Sequence, residues 1–212
     1  MNRQIVPLEE YRECISKNYH HIVNLKEIVE RSGELLEGDC LYQHQTTNML
    51  PELVNKQRNI FTLAKSCNKI LEIGLNAGHS ALLMLLANPN AILYCFDICD
   101  HRYTKLCFQY LYENFGGRVM LYEGDSNVTV PMFMKEACDL YHIDGSNDYY
   151  IANIDFYACR ALSKFNSIVI FDDVNMSHLR SLWDKYVSSK HVHELTLLDT
   201  SKSYEHAIGI FL

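Results

Sequence analysis

Apolar residues in the first part of this 212-residue chain recur at three- and four-residue intervals. Ile15, Ile22 and Val29 lie on one face of a helix that this spacing predicts over residues 8–32, with its end near Gly33. The opposite face is polar. We expect such an amphipathic helix to cover the core or a partner chain.

A second helix is predicted between Asn48 and about Ser66. Asn48 is a good N-cap residue, and Pro51 falls in the first turn, where the missing proline N–H costs nothing. The segment 38–47 between the two helices is polar and aromatic. Because it directly precedes the second half of the fold, we expect that it could fold over a ligand as a lid.

From residue 69 onward, short apolar runs alternate with helical segments, which predicts βαβ units and a mainly parallel sheet. The predicted strands are 69–73, 91–97, 118–122, 138–143, 167–172, 192–198 and 206–211. The predicted helices between them are 79–87, 101–115, 126–135, 149–163 and 177–189. The last two strands are joined by a link too short for a helical crossover, so the final strand should run antiparallel to its neighbour.

The pattern therefore predicts an α/β fold: a seven-stranded, mainly parallel sheet with an antiparallel strand near one edge and helices on both faces. We expect residues 1–66 to form an N-terminal helical extension with the possible lid. Residues 67–212 should form the ligand-binding domain. A chain of this length fits one globular unit that contains both parts.

Composition excludes several classes of function. The net charge is −7 and no block of lysine or arginine occurs, so duplex nucleic acid is not expected as a partner, although a local patch could still serve a nucleotide or a tRNA. The first residues contain no apolar run, so we expect neither a secretory signal nor a membrane span, and a cytoplasmic location. The eight cysteines form no CxxC pair, which favours reduced thiols over a zinc site.

The most informative stretch is residues 70–80, where an apolar strand runs into a glycine turn and a helix follows. Such a turn lets the backbone approach a nucleotide-like cofactor. A dinucleotide fingerprint that starts at Gly74 requires glycine at positions 76 and 79, but the chain has Asn76 and His79. The turn fits the ExGxGxG pattern of S-adenosylmethionine sites better, with one departure at Asn76.

Acidic residues follow the next two strands, where ligands of open α/β sheets bind. Asp97 ends the second strand and could accept hydrogen bonds from both ribose hydroxyls, or it could cap the following helix. Asp125 and Ser126 follow the third strand. They could contact the adenine amino group, cap a helix, or do both.

Three aspartates follow the fourth and fifth strands. If these strands are neighbours, Asp144, Asp172 and Asp173 converge beside the position of the donor methyl group. Converging carboxylates repel one another and require protons or a cation, and a hard divalent ion such as Mg²⁺ prefers oxygen ligands. The alternative is that Asp172 caps the next helix while Asp173 faces solvent.

Over about residues 38–211 the chain resembles the class I S-adenosylmethionine-dependent methyltransferases, and within them the branch of catechol-type and macrolide-sugar O-methyltransferases. The resemblance rests on residues 71–81, on Asp97, and on residues 124–126, 138–145 and 171–174. It implies a Rossmann-like fold with S-adenosylmethionine as the methyl donor. These motifs are specific for fold and cofactor and much weaker for the acceptor.

The resemblance also implies roles for individual residues. Asp97 would bind the ribose, Ser80 would lie near the methionine carboxylate, and Asp144 would contact both cofactor and substrate. The donor-binding turn would contain Glu72, Gly74, Asn76 and Gly78. Mg²⁺ would be held by Asp144, Asp172 and Asp173, and it would lower the pKa of a bound substrate hydroxyl and orient it.

The chain departs from its relatives at the expected catalytic base. A lysine or histidine often follows the fourth strand, whereas this chain has Asn147, which cannot act as a base. Asp148 could take that role, and His44 and His178 are two further candidates because one lies in the possible lid and the other follows the acidic pair. A bound metal could also make a protein base unnecessary.

The sequence therefore predicts an O-methyltransferase that acts on a hydroxyl of a small molecule or sugar with the help of a divalent cation. Two alternatives remain. The chain could methylate protein or RNA, or it could be a binding or scaffold protein that has lost catalysis. A homodimer is also possible through the first helix or the terminal strands, and a NAD-dependent oxidoreductase is disfavoured by the glycine spacing.

Overall fold

The computed structural model describes residues 4–38, 40–42, 49–133, 137–201 and 205–212. Most of the predicted lid, His44 included, lies outside the described residues. The described part forms a seven-stranded sheet covered by helices.

The seven strands follow the predicted positions closely. Their order in the sheet is β3-β2-β1-β4-β5-β7-β6. Their bounds are β1 Lys69–Ile73, β2 Ile92–Asp97, β3 Val119–Glu123, β4 Leu140–Ile143, β5 Ile168–Phe171, β6 Val192–Leu195 and β7 Ala207–Phe211. β7 lies between β5 and β6 and is antiparallel to both. All other pairings are parallel, so the predicted fold class is confirmed.

Eight α-helices surround the sheet in the described residues. Their bounds are α1 Leu8–Lys17, α2 Tyr19–Ser32, α3 Val54–Ala64, α4 His79–Ala87, α5 Thr104–Asn114, α6 Ser126–Thr129, α7 Tyr149–Leu162 and α8 Ser177–Ser188. They divide the core into two apolar clusters, one on each face of the sheet. Ile70 of β1 belongs to the cluster with α1–α5, while Leu71 belongs to the one with α7 and α8, as strand alternation requires.

Three predicted helices were wrong in their extent. The helix expected over 8–32 is two helices, because Asn18 leaves the helical conformation and its side-chain amide donates to the carbonyl of Cys14. The helix expected over 126–135 ends at Thr129, shortly before Pro131, which cannot donate the next helical hydrogen bond. The helix expected over 48–66 begins instead with the 3₁₀ turn Pro51–Leu53 and ends at Ala64.

The N-terminal helices α1–α3 pack on one face of the sheet. Ile22, Leu25 and Ile60 are fully buried in the same apolar cluster as Leu82 of α4 and Ile170 of β5. The helices α1–α3 thus share one core with the first face of the sheet. No described helix is both long enough and apolar enough to cross a membrane, and all eight cysteines are free thiols.

Candidate active site

A cavity of about 540 Å³ opens beyond the carboxyl ends of β1, β2 and β4. This is the size of a small-molecule site, and it lies where ligands of open α/β sheets bind. Many of the predicted site residues line it: Gly74, Asn76, Ser80, Asp97, Asp125, Ser126, Asp144 and Asp173. Five others are not part of its wall: Glu72, Gly78, Asp148, Asp172 and His178.

Gly74 directly follows β1, and there the backbone passes very close to Asp144, which directly follows the neighbouring strand β4. Its φ is +92°, and a Cβ atom built there would lie 1.9 Å from the carbonyl oxygen of Asp144. Only glycine avoids this backbone clash. The close approach brings the donor-side turn and Asp144 onto adjacent parts of the cavity wall.

Asn76 occupies the position at which the sequence pattern calls for glycine. Its φ is +50°, in the left-handed region that asparagine tolerates better than most residues. The side-chain carbonyl accepts a hydrogen bond from the Tyr103 hydroxyl at 2.7 Å, and the backbone N–H donates to Asp97 at 2.9 Å. Asn76 therefore adopts a backbone conformation that glycine would also adopt. Its N–H ties the turn to Asp97 at the end of β2.

We expect Asn76→Gly to preserve the turn and Asn76→Val to disturb it. Glycine keeps the positive φ and loses one hydrogen bond, whereas a β-branched residue pays about 1–2 kcal/mol for the left-handed conformation. Isothermal titration with S-adenosylhomocysteine should show an affinity near that of the unaltered chain for the glycine variant. Affinity for the valine variant should be clearly weaker, and equal affinities would contradict this account of Asn76.

Glu72 lies below the turn rather than in the cavity. Its carboxylate is fully buried and accepts hydrogen bonds from the Ser80 hydroxyl, from Nδ1 of His142 at 3.0 Å and from the Cys95 thiol at 3.6 Å. The structure therefore places Glu72 where it holds Ser80 and the turn from behind. Ser80 itself lines the cavity.

Both carboxylate oxygens of Asp97 accept hydrogen bonds from the backbone. Oδ2 accepts from Asn76 N–H at 2.9 Å and Oδ1 from Cys99 N–H at 2.7 Å. A carboxylate has about four lone-pair positions, so each oxygen can accept a further hydrogen bond. The ordered carboxylate is thus suited to a diol such as ribose.

Asp125 caps α6 by accepting from the Asn127 N–H at 2.9 Å, and Ser126 is the first residue of that helix. Both residues also line the cavity. The two interpretations offered by the sequence, helix cap and ligand contact, are therefore compatible for Asp125.

Asp172 is paired with a lysine that the sequence analysis did not single out. Nζ of Lys56, in α3, lies 2.7 Å from Oδ2 of Asp172, and both side chains are almost completely buried. Oδ1 of Asp172 accepts from the N–H of Asp173 at 2.9 Å. Burial would by itself raise the pKa of Asp172, but Lys56 and His142 lower it, so this carboxylate is ionised.

The same carboxylates keep Lys56 charged. Burial opposes the charged form, but Asp172, Asp144 and Asp173 together raise the pKa of Lys56. The ammonium group is therefore a fixed positive charge within the acidic cluster. It connects the N-terminal helices to the carboxyl end of β5.

His142 supplies a second buried positive charge. Its Nδ1 lies 3.0 Å from Glu72, and its Nε2 lies 3.8 Å from Oδ2 of Asp172. Burial lowers the pKa of His142, but the two carboxylates outweigh burial and raise it to about 10. His142, Asp144 and Asp172 each bring one potential ligand atom within 4.8 Å of the others. A protonated imidazole has no lone pair for a metal, so the oxygens are the ligands available.

Asp144 and Asp173 form no close ion pair with another described residue. Both line the cavity, and the pKa of each is raised, first by burial and then by the neighbouring Asp172. The charged forms of both carboxyl groups are thus disfavoured, and a cation that enters from the cavity could reach and stabilise them.

The two side chains suggested as bases lie beside the cavity. Asp148 caps α7, with its Oδ1 accepting from the N–H groups of Tyr150 and Ile151. Nε2 of His178 lies 2.8 Å from the carbonyl oxygen of Asn147, so this nitrogen carries the proton. Nδ1 remains as the basic atom of His178. The catalytic role of either residue stays a prediction.

Helical spacing indicates that Lys56 is buried. Lys56 is three residues after Leu53 and four before Ile60, so it lies on the buried face of its helix. A lysine on a buried face needs an anionic partner. The partner itself, Asp172, could not be identified from spacing.

The fold, with this order of strands, is that of the class I methyltransferases. Within that class, residues 71–174 match the profile of a family described as a methyltransferase domain. The chain thus contains a methyltransferase domain over these residues, and its fold is that of S-adenosylmethionine-dependent methyltransferases. No curated protein sequence matches the chain.

Solved structures with this fold include several O-methyltransferases. One from Bacillus cereus, in complex with S-adenosylhomocysteine, is 18% identical, with a TM-score of 0.64 over 89% of this chain and 90% of that one. TomG from Streptomyces achromogenes, which is involved in tomaymycin synthesis, was solved with S-adenosylmethionine. It is 18% identical, with a TM-score of 0.61 over 74% and 79% of the two chains.

A third structure with this fold is that of an enzyme that acts on a sugar. It is CalS11, a TDP-rhamnose 3'-O-methyltransferase of calicheamicin biosynthesis, and it is 18% identical. The TM-score is 0.56 over 73% of this chain and 76% of that one. At these identities the likeness establishes the fold.

Proposed function

We propose that this chain transfers the methyl group of S-adenosylmethionine to a hydroxyl group of a small molecule or sugar, with a divalent cation bound at the acidic cluster. The observation that carries the proposal is that the donor-side turn and two acidic side chains, Asp144 and Asp173, line the same cavity. The fold of O-methyltransferases such as CalS11 supports it.

The charges of the cluster fit a divalent ion. Four carboxylates, those of Glu72, Asp144, Asp172 and Asp173, face two cations, Lys56 and His142. His142 pairs with Glu72 and Lys56 with Asp172, which leaves Asp144 and Asp173, whose raised pKa values indicate that their charged forms need a further cation. Carboxylate oxygens are also the preferred ligands of Mg²⁺. Asp144 and Asp173 would hold the ion from the cavity side, with Asp172 behind them.

A bound divalent ion would lower the pKa of a substrate hydroxyl and favour the nucleophilic alkoxide. The chain's own residues would position the two reactants. Asp97 would hold the donor ribose, and Ser80, fixed by Glu72, would bind near the methionine end. Such fixed placement brings the hydroxyl into line with the sulfonium methyl group. His178 remains a candidate for accepting the hydroxyl proton through Nδ1.

We also propose that the N-terminal part, residues 1–66, contributes to the acceptor side of the site as an extension of the domain formed by 67–212. Lys56 of α3 supports this, because it enters the acidic cluster. The homodimer suggested by the sequence stays a proposal without a defined interface.

Methyl transfer should require a divalent cation. Incubation with isotopically labelled S-adenosylmethionine and a panel of hydroxylated acceptors, catechols and sugars included, should give labelled product with Mg²⁺. EDTA should reduce the rate at least about 100-fold, because it removes a charge that stabilises the alkoxide. Asp144→Asn should have a similar effect while binding of S-adenosylhomocysteine survives.

Three other outcomes would change the proposed function. Full activity in EDTA would eliminate the metal but not the methyl transfer. Binding of the donor without turnover of any acceptor would favour a scaffold protein. Labelling of protein or RNA in place of the small acceptors would move the substrate to those classes.

A further inference from the structure

Lys56 reaches the acidic cluster from outside the sheet. It belongs to α3, in the N-terminal part of the chain, and its Nζ lies 2.7 Å from Oδ2 of Asp172. The exposed fraction is 4% for the lysine side chain and 1% for the aspartate side chain, so water does not screen the pair. In the proposed reaction Lys56 only balances the charge of Asp172. A buried ammonium group beside a cation site also affects which cation binds there.

Both carboxylate oxygens of Asp172 already have a partner. Oδ2 is paired with Lys56, and Oδ1 accepts from the N–H of Asp173 at 2.9 Å. A divalent ion bound to this carboxylate would lie beside the ammonium group. Repulsion between like charges is strong where water is excluded, so Lys56 disfavours Asp172 as a ligand.

Without the ammonium group, Asp172 is placed to bind an ion together with Asp144. One carboxylate oxygen of each residue lies within 4.8 Å of the other, close enough for one ion to contact both. Asp173 is the next residue in the chain after Asp172, and it lines the same cavity as Asp144. Lys56 therefore decides whether two or three of these carboxylates are available to an ion.

We propose that Lys56 sets the ion selectivity of the site by withholding Asp172, so that Asp144 and Asp173 are the carboxylates left for the ion. Mg²⁺ keeps several waters and needs only about one or two carboxylates, whereas Ca²⁺ takes about six to eight oxygen ligands. A site with two carboxylates therefore favours Mg²⁺, and a third carboxylate benefits Ca²⁺ more. The inference rests on the proposed function only in that a divalent ion binds at the acidic cluster.

Isothermal titration with MgCl₂ and with CaCl₂, without donor or acceptor, measures this selectivity apart from turnover. In Lys56→Met, the repelling charge is gone and Asp172 becomes available. The affinity for Ca²⁺ should rise at least about tenfold, and by more than the affinity for Mg²⁺. Lys56→Arg keeps the positive charge and should keep the ratio of the two affinities. Lys56→Met/Asp172→Asn lacks the freed carboxylate, so most of the gain for Ca²⁺ should be absent.

A measurement on the unaltered chain decides the same point if Lys56→Met does not fold. Mn²⁺ occupies octahedral oxygen sites as Mg²⁺ does, and the relaxation rate of water protons reports how many waters stay on it. With two protein carboxylates as ligands, the ion should keep about four waters. About three or fewer would show that Asp172 binds the ion in spite of Lys56, which would overturn the inference.

The outcomes separate the role of Lys56 from the proposed function. If Lys56→Met and the unaltered chain bind both ions equally well, the role of Lys56 is refuted and the metal site stands. A rise of the same size for both ions would refute the selectivity as well. If only Lys56→Met binds an ion, Lys56 controls the site, but the unaltered chain does not use a metal. If neither chain binds an ion, the inference and the metal part of the proposed function both fail.

Discussion

Replacing Lys56 with methionine is expected to lower the free energy of unfolding by about 3–5 kcal/mol, because it leaves Asp172 as a buried charge without its partner. The ion pair is 2.7 Å long and both side chains are almost fully buried. Methionine is similar in length and keeps the aliphatic packing, so the loss reports the charge. For a chain of this size the melting temperature should fall by roughly 6–20 °C.

A double variant separates the loss of the charge from the loss of packing. In Lys56→Met/Asp172→Asn, the buried positive charge and the buried negative charge are both removed, so much of the lost stability should return. Lys65→Met provides the control: Lys65 follows the same helix and pairs with Glu10 at the surface, and its loss should cost less than about 1 kcal/mol. Chemical denaturation measures all three variants. Equal stability of Lys56→Met and the unaltered chain would show that the pair contributes little.

Gly74→Ala is expected to be at least as damaging. The added Cβ would lie 1.9 Å from the backbone oxygen of Asp144, and the N–H groups of Gly74 and Asp144 are hydrogen-bonded to Phe96 and Ile73. The backbone cannot move aside without breaking these bonds at the centre of the sheet. We expect a loss above about 4 kcal/mol and no measurable binding of S-adenosylhomocysteine.

Gly116→Ala is the matched control for this prediction. Gly116 has a φ of +62°, but a Cβ there would have no atom within 4 Å. Alanine at this position should lower the free energy of unfolding only by the cost of the left-handed conformation, about 1–2 kcal/mol. Denaturation curves and titration calorimetry of both variants distinguish steric clash from backbone strain. Similar losses for the two alanines would refute the importance of the Gly74–Asp144 approach.

Much of the fold could be predicted because strand patterns are local. Each strand of the sheet is a short apolar run, and the short link before β7 was enough to predict its direction. Helix ends were harder, because Asn18 and Pro131 interrupt patterns whose apolar periodicity continues past them. Local side-chain hydrogen bonds and a missing N–H decided these ends.

The site was predictable where strand ends determine position. Asp97, Asp144 and Asp173 line one cavity because the carboxyl ends of parallel strands meet at one edge. The partners of these acids were not predictable. Lys56 reaches Asp172 from a helix far away in sequence, and His142 looks like a core residue of β4 until its contact with Glu72 is known.

The place of β7 in the sheet has a consequence for how the chain acquires its structure. β7 is hydrogen-bonded on both sides, to β5 and to β6, although it follows both of them in the chain. Until residues 207–211 have left the ribosome, β5 and β6 have no common neighbour and their inner edges stay unpaired. Closure of this part of the sheet must therefore await the emergence of β7. Meanwhile those exposed strand edges are the part of the nascent chain most in need of protection from aggregation.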